Sequence, residues 1–109
     1  MSGKKAIRYL SIAVKAGALT SGFEECQKKL RRGGRGLLAL ACDAGANTVR
    51  RAQALAGAAG IRLLPCIYTK SELARAIGRG SPVSLILVTD EGLAGAFAAA
   101  HATEQEERI

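Results

Sequence analysis

The largest group of charged side chains lies in the stretch SGFEECQKKLRRGGRG, residues 21–36. Two glutamates open this stretch, and five cationic side chains follow them: Lys28, Lys29, Arg31, Arg32 and Arg35. At 100° per residue, Glu25, Lys28 and Arg32 fall on the same face of a helix, opposite an apolar stripe. Because cations on one helix face neutralise phosphates, the stretch predicts a surface that binds a polyanion.

A solvated helix that pairs its own charges is the alternative interpretation. Glu24 and Lys28 are spaced i,i+4 in the favourable order, and so are Glu25 and Lys29. The five cations nevertheless outnumber the two acids, and the free N–H groups at a helix N-terminus favour a bound anion. We therefore favour the polyanion surface over the self-paired helix.

The distribution of net charge points to the same region. Residues 1–36 hold nine Lys and Arg against two Glu, whereas residues 37–109 hold seven cationic and seven acidic residues. The whole net charge of +7 therefore lies in the first third of the chain. Such an asymmetric basic domain indicates a polyanionic partner.

Other kinds of site find little support in the sequence. Cys26, Cys42 and Cys66 are too widely spaced for a zinc motif, and in apolar surroundings they behave as small hydrophobes of a reducing cytoplasm. The single histidine, His101, precedes a tail, EQEER, that is expected to fray. We predict that Asp43 and Asp90 serve as helix N-caps. We therefore expect no metal, no cofactor and no catalytic group.

A nucleotide-binding loop and a secretory signal are also excluded by the sequence. The glycines of RRGGRG end a helix and precede a strand, the reverse of a nucleotide-binding loop. Upstream, the uncharged run at residues 9–14 is only six residues long, too short for a secretory signal. No run approaches the roughly 20 apolar residues of a membrane span, so we expect no membrane partner.

Hydrophobic periodicity predicts helices and strands in alternation. Helices are predicted at about 4–16, 22–32, 48–59, 70–77 and 90–101, and strands at 19–20, 36–42, 61–67 and 83–89. Capping boxes are predicted at Ser21-x-x-Glu24 and Thr69-x-x-Glu72, and Pro65 favours an edge strand. The alternation predicts a single domain, an α/β/α sandwich around a mostly parallel sheet.

Three segments carry a family resemblance that covers nearly the whole chain. LSIAVKAGALTSG, GLLALACDAGANT and KSELARAIGRGSPVSLILVTDEG resemble the L7Ae/L30e superfamily of ribosomal and kink-turn RNA-binding proteins, especially its small bacterial members. The resemblance implies an α/β fold, a three-layer α/β/α sandwich with a central four-stranded mixed sheet. It also implies that RNA is held, without catalysis, between the N-terminal end of the second helix and the loop before the fourth strand.

The resemblance also implies particular site residues. The family motif Gly-x-Asn-Glu-x-x-Lys falls on residues 22–28: Gly22 allows close backbone approach, Glu25 accepts from base amino groups, and Lys28 donates to a guanine edge or a phosphate. The remaining implied RNA contacts are Lys70 and the recognition loop, formed by Arg79, Gly80, Ser81, Pro82 and Val83. Arg32 is expected to extend the phosphate-binding surface.

Two positions depart from the family pattern. Glu24 stands where many members have Asn, and an ionised carboxylate cannot donate to the N7 and O6 acceptors of guanine. Arg79 stands where an apolar residue often packs on an extruded base. Because lysine and arginine still surround both positions, the phosphate-binding surface is expected to remain.

The sequence thus predicts a non-catalytic, cytoplasmic RNA-binding protein. Its ligand is predicted to be a structured RNA, kink-turn-like or with an internal loop, and ribosomal or ribosome-associated. The alternative is a protein-interaction module on the same fold that has lost tight kink-turn binding.

Overall fold

A computed structural model describes residues 5–107 of the chain, as five helices and four strands in alternation. The elements are α1 (Lys5–Lys15), β1 (Leu19–Ser21), α2 (Phe23–Arg31), β2 (Leu37–Leu40), α3 (Ala46–Ala59), β3 (Leu63–Pro65), α4 (Lys70–Ala76), β4 (Leu85–Val88) and α5 (Glu91–Glu107). The predicted order of elements is confirmed. Residue 4, where the first helix was predicted to begin, and Arg108 of the tail lie outside the described residues.

The four strands form one mixed sheet in the order β1-β4-β2-β3. β2 pairs with β3 in parallel, while β4 lies antiparallel to both β1 and β2. The mixed sheet is confirmed, but the mostly parallel sheet predicted from the alternation is wrong. The antiparallel direction of β4 follows from the loop before it, which returns to the start of α4, where the Val83 N–H donates to the Lys70 carbonyl. The chain thus enters β4 at the end where the other three strands finish.

The helices cover both faces of the sheet. α1, α4 and α5 pack on one face over Ala39, Ile86 and Val88, and α2 and α3 pack on the other over Leu38 and Leu87. β2 and β4, the two central strands, are buried along their whole length. This confirms that the continuous apolar runs mark strands covered on both sides. β3, which ends at Pro65, is an edge strand as predicted.

The buried face of α1 consists of Leu10 with Ala6 and Ala13, while Val14 is 41% exposed. These alanines face the other helices of the layer, where a methyl side chain permits close approach of two helix backbones.

The C-terminal tail is helical and ordered to Glu107, so the prediction of a frayed tail is wrong. Glu104 is 1% exposed and accepts hydrogen bonds from the Ala6 N–H and from the Tyr68 hydroxyl, the latter at 2.7 Å. His101 is also buried, and its Nε2 accepts from the Ile67 N–H at 3.0 Å. These polar contacts anchor the last turns of α5 to α1 and to the chain after β3, which composition alone does not reveal.

Candidate nucleic-acid interface

Three helices begin at one end of the sheet. β1, β2 and β3 run in the same direction, so α2, α3 and α4, which follow them, all begin where these strands finish. The loop between α4 and β4 returns to this same end. The topology therefore collects the predicted site residues at one edge of the molecule, except for those further along α2.

The N-terminus of α2 is open. Its N-cap is Gly22, with φ 92° and ψ 145°, and no side chain accepts a hydrogen bond there. The predicted Ser21–Glu24 capping box is therefore wrong. Ser21 belongs to β1, paired with Ile86, and its Oγ accepts from the Arg79 guanidinium. Only glycine readily adopts the Gly22 conformation, so the turn from strand to helix leaves no side chain to fill the N-terminus.

The predicted recognition loop lies beside this turn. The Arg79 guanidinium donates to Ser21 Oγ at 3.0 Å, spanning 58 positions of sequence. Val83 is buried and anchors the loop through its N–H to the Lys70 carbonyl, at 3.2 Å. Between these anchors Gly80, Ser81 and Pro82 are exposed. The structure thus brings Gly22, Lys70 and the whole loop to the same end of the sheet.

Glu25 and Lys28 lie on the exposed side of α2 and form an ion pair of 3.6 Å. Their side chains are 64% and 59% exposed, so the pair contributes little to stability and both groups are accessible to a ligand. Neither i,i+4 pair of the alternative interpretation, Glu24–Lys28 or Glu25–Lys29, forms within 4.0 Å in the described part of the chain. The self-paired helix is therefore reduced to a single weak contact.

Arg32 stands apart from the other predicted residues. It is the C-cap of α2, and a rise of 1.5 Å per residue puts it roughly 15 Å along the axis from Gly22. An extended ligand is needed to touch both Arg32 and the recognition loop.

Side chains satisfy the helix N-termini on one face of the sheet and not on the other. Glu104 accepts from the first turn of α1, and Asp90 accepts from Leu93 in α5 at 2.9 Å, as predicted. At α4 the predicted capping box of Thr69 and Glu72 is confirmed. α2 and α3, in contrast, begin at glycines without any side-chain cap.

Asp43 was predicted to cap α3, and this prediction is wrong. Its carboxylate instead accepts from the Lys70 N–H at 2.8 Å. The α3 N-cap is Gly45, two residues later. Asp43 thus adds a third acceptor at the start of α4 and leaves α3 open. Asp43 and Asp90 thus both serve as structural hydrogen-bond acceptors, Asp90 at the predicted helix and Asp43 at a different one.

The charge of the α2/α3 layer matches its open helix N-termini. Segment 23–32 and α3 together carry six cations against two acids, and α3 contains no acid at all. The cations are Lys28, Lys29, Arg31, Arg32, Arg50 and Arg51. Because partial positive charges of helix N-termini add to these side chains, this layer is suited to polyanions.

Sequence reasoning did not single out Arg51 at this end, and it gave Ser21 a capping role instead of its contact with Arg79. The Arg51 guanidinium lies 4.0 Å from the centroid of the Phe23 ring, at the first residue of α2. Arg51 and Phe23 lie 28 positions apart, and no local sequence pattern connects them.

The cysteines and the acidic residues form no metal site in the described part of the chain. Burial raises the pKa of the Cys26 and Cys66 thiols to about 12, so both behave as the predicted small hydrophobes. Cys42, expected in apolar surroundings, is exposed. Within residues 5–107 no cluster of three or more potential ligands could hold a metal ion, and none of the helices there is long and apolar enough to cross a membrane.

Comparison with known proteins agrees with the fold. Residues 4–98 match the model of the ribosomal protein L7Ae/L30e/S12e/Gadd45 family. No curated protein matches by sequence. A protein of unknown function from Bacillus halodurans is similar in structure, with a TM-score of 0.81 and 28% identity over 90% of this chain and 97% of that one.

A second similar structure is the 15.5kD RNA-binding protein of Giardia lamblia. Its TM-score is 0.70 at 19% identity, covering 92% of this chain and 84% of that one. At this identity the likeness shows a shared fold. With the family match spanning nearly the whole described chain, the chain belongs to the ribosomal protein L7Ae/L30e/S12e/Gadd45 family.

Proposed function

We propose that this protein is a non-catalytic RNA-binding protein that grips a structured RNA between the N-terminus of α2 and the recognition loop. One observation carries the proposal: the uncapped N-terminus at Gly22 lies beside Arg79, which is hydrogen-bonded to Ser21. A helix N-terminus without a side-chain acceptor keeps N–H donors for a phosphate. Membership of the family and the RNA-binding description of the Giardia protein support this reading.

The shape of the site favours a distorted RNA over a regular duplex. A-form RNA offers a deep, narrow major groove that side chains do not read, so specific recognition targets loops, bulges and internal loops. Gly80, Ser81 and Pro82 are exposed, and Arg79 beside them contacts Ser21 next to the α2 N-terminus, so an RNA that bends sharply can meet both. We therefore propose a kink-turn-like or internal-loop RNA as the ligand. From the family match we further propose that this RNA is ribosomal or ribosome-associated, and that the protein acts in the cytoplasm.

A salt titration of binding tests the proposal. The affinity for a kink-turn RNA and for a perfect duplex of the same length is measured over a range of salt concentrations. We expect tighter binding to the kink-turn RNA at every concentration. Equal and steeply salt-dependent binding to both RNAs would reduce the surface to a non-specific electrostatic one.

A pair of lysine variants locates the site. Lys28→Ala is expected to weaken binding and to lower the salt slope by about one unit, because one phosphate or base-edge contact is removed. Lys15→Ala is the matched control, since Lys15 is also exposed but lies at the end of α1. If both variants keep the wild-type affinity and slope, Lys28 is not part of the interface.

A further inference from the structure

A groove runs between α2 and α3. Its volume is about 390 Å³, and Leu30, Leu55 and Ala58 contribute apolar walls. The polar groups that line it are Gln27 and Arg31, both from α2. No carboxylate lines this groove within the described residues, so its potential is set by cations.

Arg51 lies on the side of α3 that faces α2, near the end where both helices begin. Its guanidinium is stacked at 4.0 Å over Phe23, which directly follows Gly22. A guanidinium on an aromatic face keeps its N–H donors free at the edge. No acid lies within 4.0 Å of Arg51 among residues 5–107, so its charge is held in place without being neutralised.

Arg31 lies towards the other end of the groove. Phe23, Gln27 and Arg31 are spaced i, i+4 and i+8 along α2 and share one stripe of the helix. Eight residues at 1.5 Å each put about 12 Å between the Phe23–Arg51 stack and Arg31. Two cations at this separation, with no acid in the groove lining, suit an anionic chain rather than a single small ion.

We propose that Arg51 and Arg31 bind the phosphodiester backbone of the RNA, so that the strand leaving the α2 N-terminus continues along the α2–α3 groove. This inference rests on the proposed function, because the Phe23–Arg51 stack directly follows the Gly22 turn and the groove lies further along the same two helices. Continuity with that site and the absence of acids from the groove lining select RNA over a protein partner. The protein contact is thereby extended from a single helix end to a surface shared by two helices.

The test measures RNA affinity and its salt dependence for Arg51→Gln, Arg31→Gln and the double variant. Each single change is expected to weaken binding several-fold and to lower the salt slope by about one unit, and the double change by about two. Arg62→Gln is the matched control, because Arg62 is also exposed but lies before β3, at the opposite end of the sheet. It is expected to leave the slope unchanged.

Folding is checked by the melting temperature, which these exposed substitutions should leave close to that of the wild type. If Arg51→Gln and Arg31→Gln bind like Arg62→Gln while Lys28→Ala loses affinity, the proposed function stands and the groove contact is overturned. If the wild-type protein binds no RNA, the proposed function fails and this inference fails with it. A further variant, Phe23→Leu, removes the aromatic ring under the Arg51 guanidinium and should give part of the loss of RNA affinity seen in Arg51→Gln.

Discussion

On one face of the sheet, α1, α4 and α5 each begin against a side chain that accepts a hydrogen bond from the first turn. On the other face, α2 and α3 begin at Gly22 and Gly45, and no side chain caps either of them. The five helices belong to one small domain and pack on the same sheet, yet their N-termini fall into two groups. We call the first group the closed layer and the second the open layer.

The acids of the protein explain how this difference arises. Four of the nine acidic residues accept hydrogen bonds within the closed layer: Asp43, Glu72, Asp90 and Glu104. Glu72, Asp90 and Glu104 thus carry their negative charge on the face of the sheet opposite α2 and α3, where cations predominate. The carboxylate of Asp43, two residues before the α3 N-cap, accepts from α4 instead of capping α3. The comparison teaches that the basic surface depends on where the acids are placed as well as on the lysines and arginines of α2.

The largest effect is expected from Gly22→Ala, because Gly22 has φ 92° and ψ 145°, a region that other residues avoid. The strain should destabilise the fold by about 1–3 kcal/mol, measured by urea unfolding, and should weaken RNA binding by displacing the first turn of α2. Gly57→Ala, inside α3 and with open space around it, is the control and should be neutral or stabilising. Equal stability of Gly22→Ala and Gly57→Ala would show that the open terminus imposes no strain.

The next effect in size concerns Glu24, an exposed acid at the open terminus. Glu24→Asn replaces a group that only accepts by one that donates to guanine N7 and O6, and should tighten kink-turn binding about tenfold. Removing a negative charge also favours any RNA, so a perfect duplex of the same length serves as the control. An equal gain on both RNAs would limit the effect to charge, and weaker kink-turn binding would give Glu24 another role.

The fold was predictable to the extent that local patterns determine it. The apolar runs of β2 and β4, the edge position of Pro65 and the Thr69–Glu72 box each follow from adjacent residues, and each is confirmed. The antiparallel placement of β4 did not follow from the alternation of elements, because it depends on where the loop after α4 returns. Only the family resemblance indicated a mixed sheet.

The parts of the candidate site that sequence reasoning misjudged all depend on contacts between distant residues. Ser21 has the right spacing to cap α2, but pairing in β1 places its hydroxyl against Arg79, 58 positions away. Asp43 precedes α3, yet its acceptor role is at Lys70. From the sequence, Glu104 belongs to a polar tail. In the structure its carboxylate is buried and accepts from the Ala6 N–H in α1 and from the Tyr68 hydroxyl. Each of these side chains can cap or extend its neighbouring helix or bond to a distant residue, and only tertiary packing decides which of the two it does.

A smaller effect is expected from opening a terminus in the closed layer. Thr69→Ala removes the side-chain acceptor of the Glu72 N–H and should cost about 1 kcal/mol of unfolding free energy. RNA affinity should stay unchanged, because the substitution removes only a hydroxyl that is bonded within α4 and leaves the Lys70 side chain in place. Ser71→Ala, an exposed change in the same helix, is the control. A loss of RNA affinity in Thr69→Ala without loss of stability would mean that the capping hydroxyl itself contributes to the interface, and would blur the distinction between the layers.

The smallest effect is a single-proton dependence of stability on pH, which also belongs to the closed layer. Burial lowers the pKa of His101 from 6.5, with Glu104 opposing the shift and Arg62 adding to it, and the Tyr68 ring packs at its edge. The folded state therefore holds the neutral imidazole, whose Nε2 accepts from the Ile67 N–H. The unfolded chain binds the proton first as the pH falls. The stabilisation from His101 is thus fully present above about pH 6.5 and is lost as the pH falls towards the folded-state pKa, with a slope of at most about 1.4 kcal/mol per pH unit.

Unfolding free energies of the wild type and His101→Gln, measured between pH 5 and 8, should converge as the pH falls, since glutamine keeps an acceptor but does not titrate. A constant difference across this range would mean that His101 titrates alike in the folded and unfolded chains. Because the group lies on the opposite face of the sheet from α2 and α3, RNA affinity should show no matching change between wild type and variant.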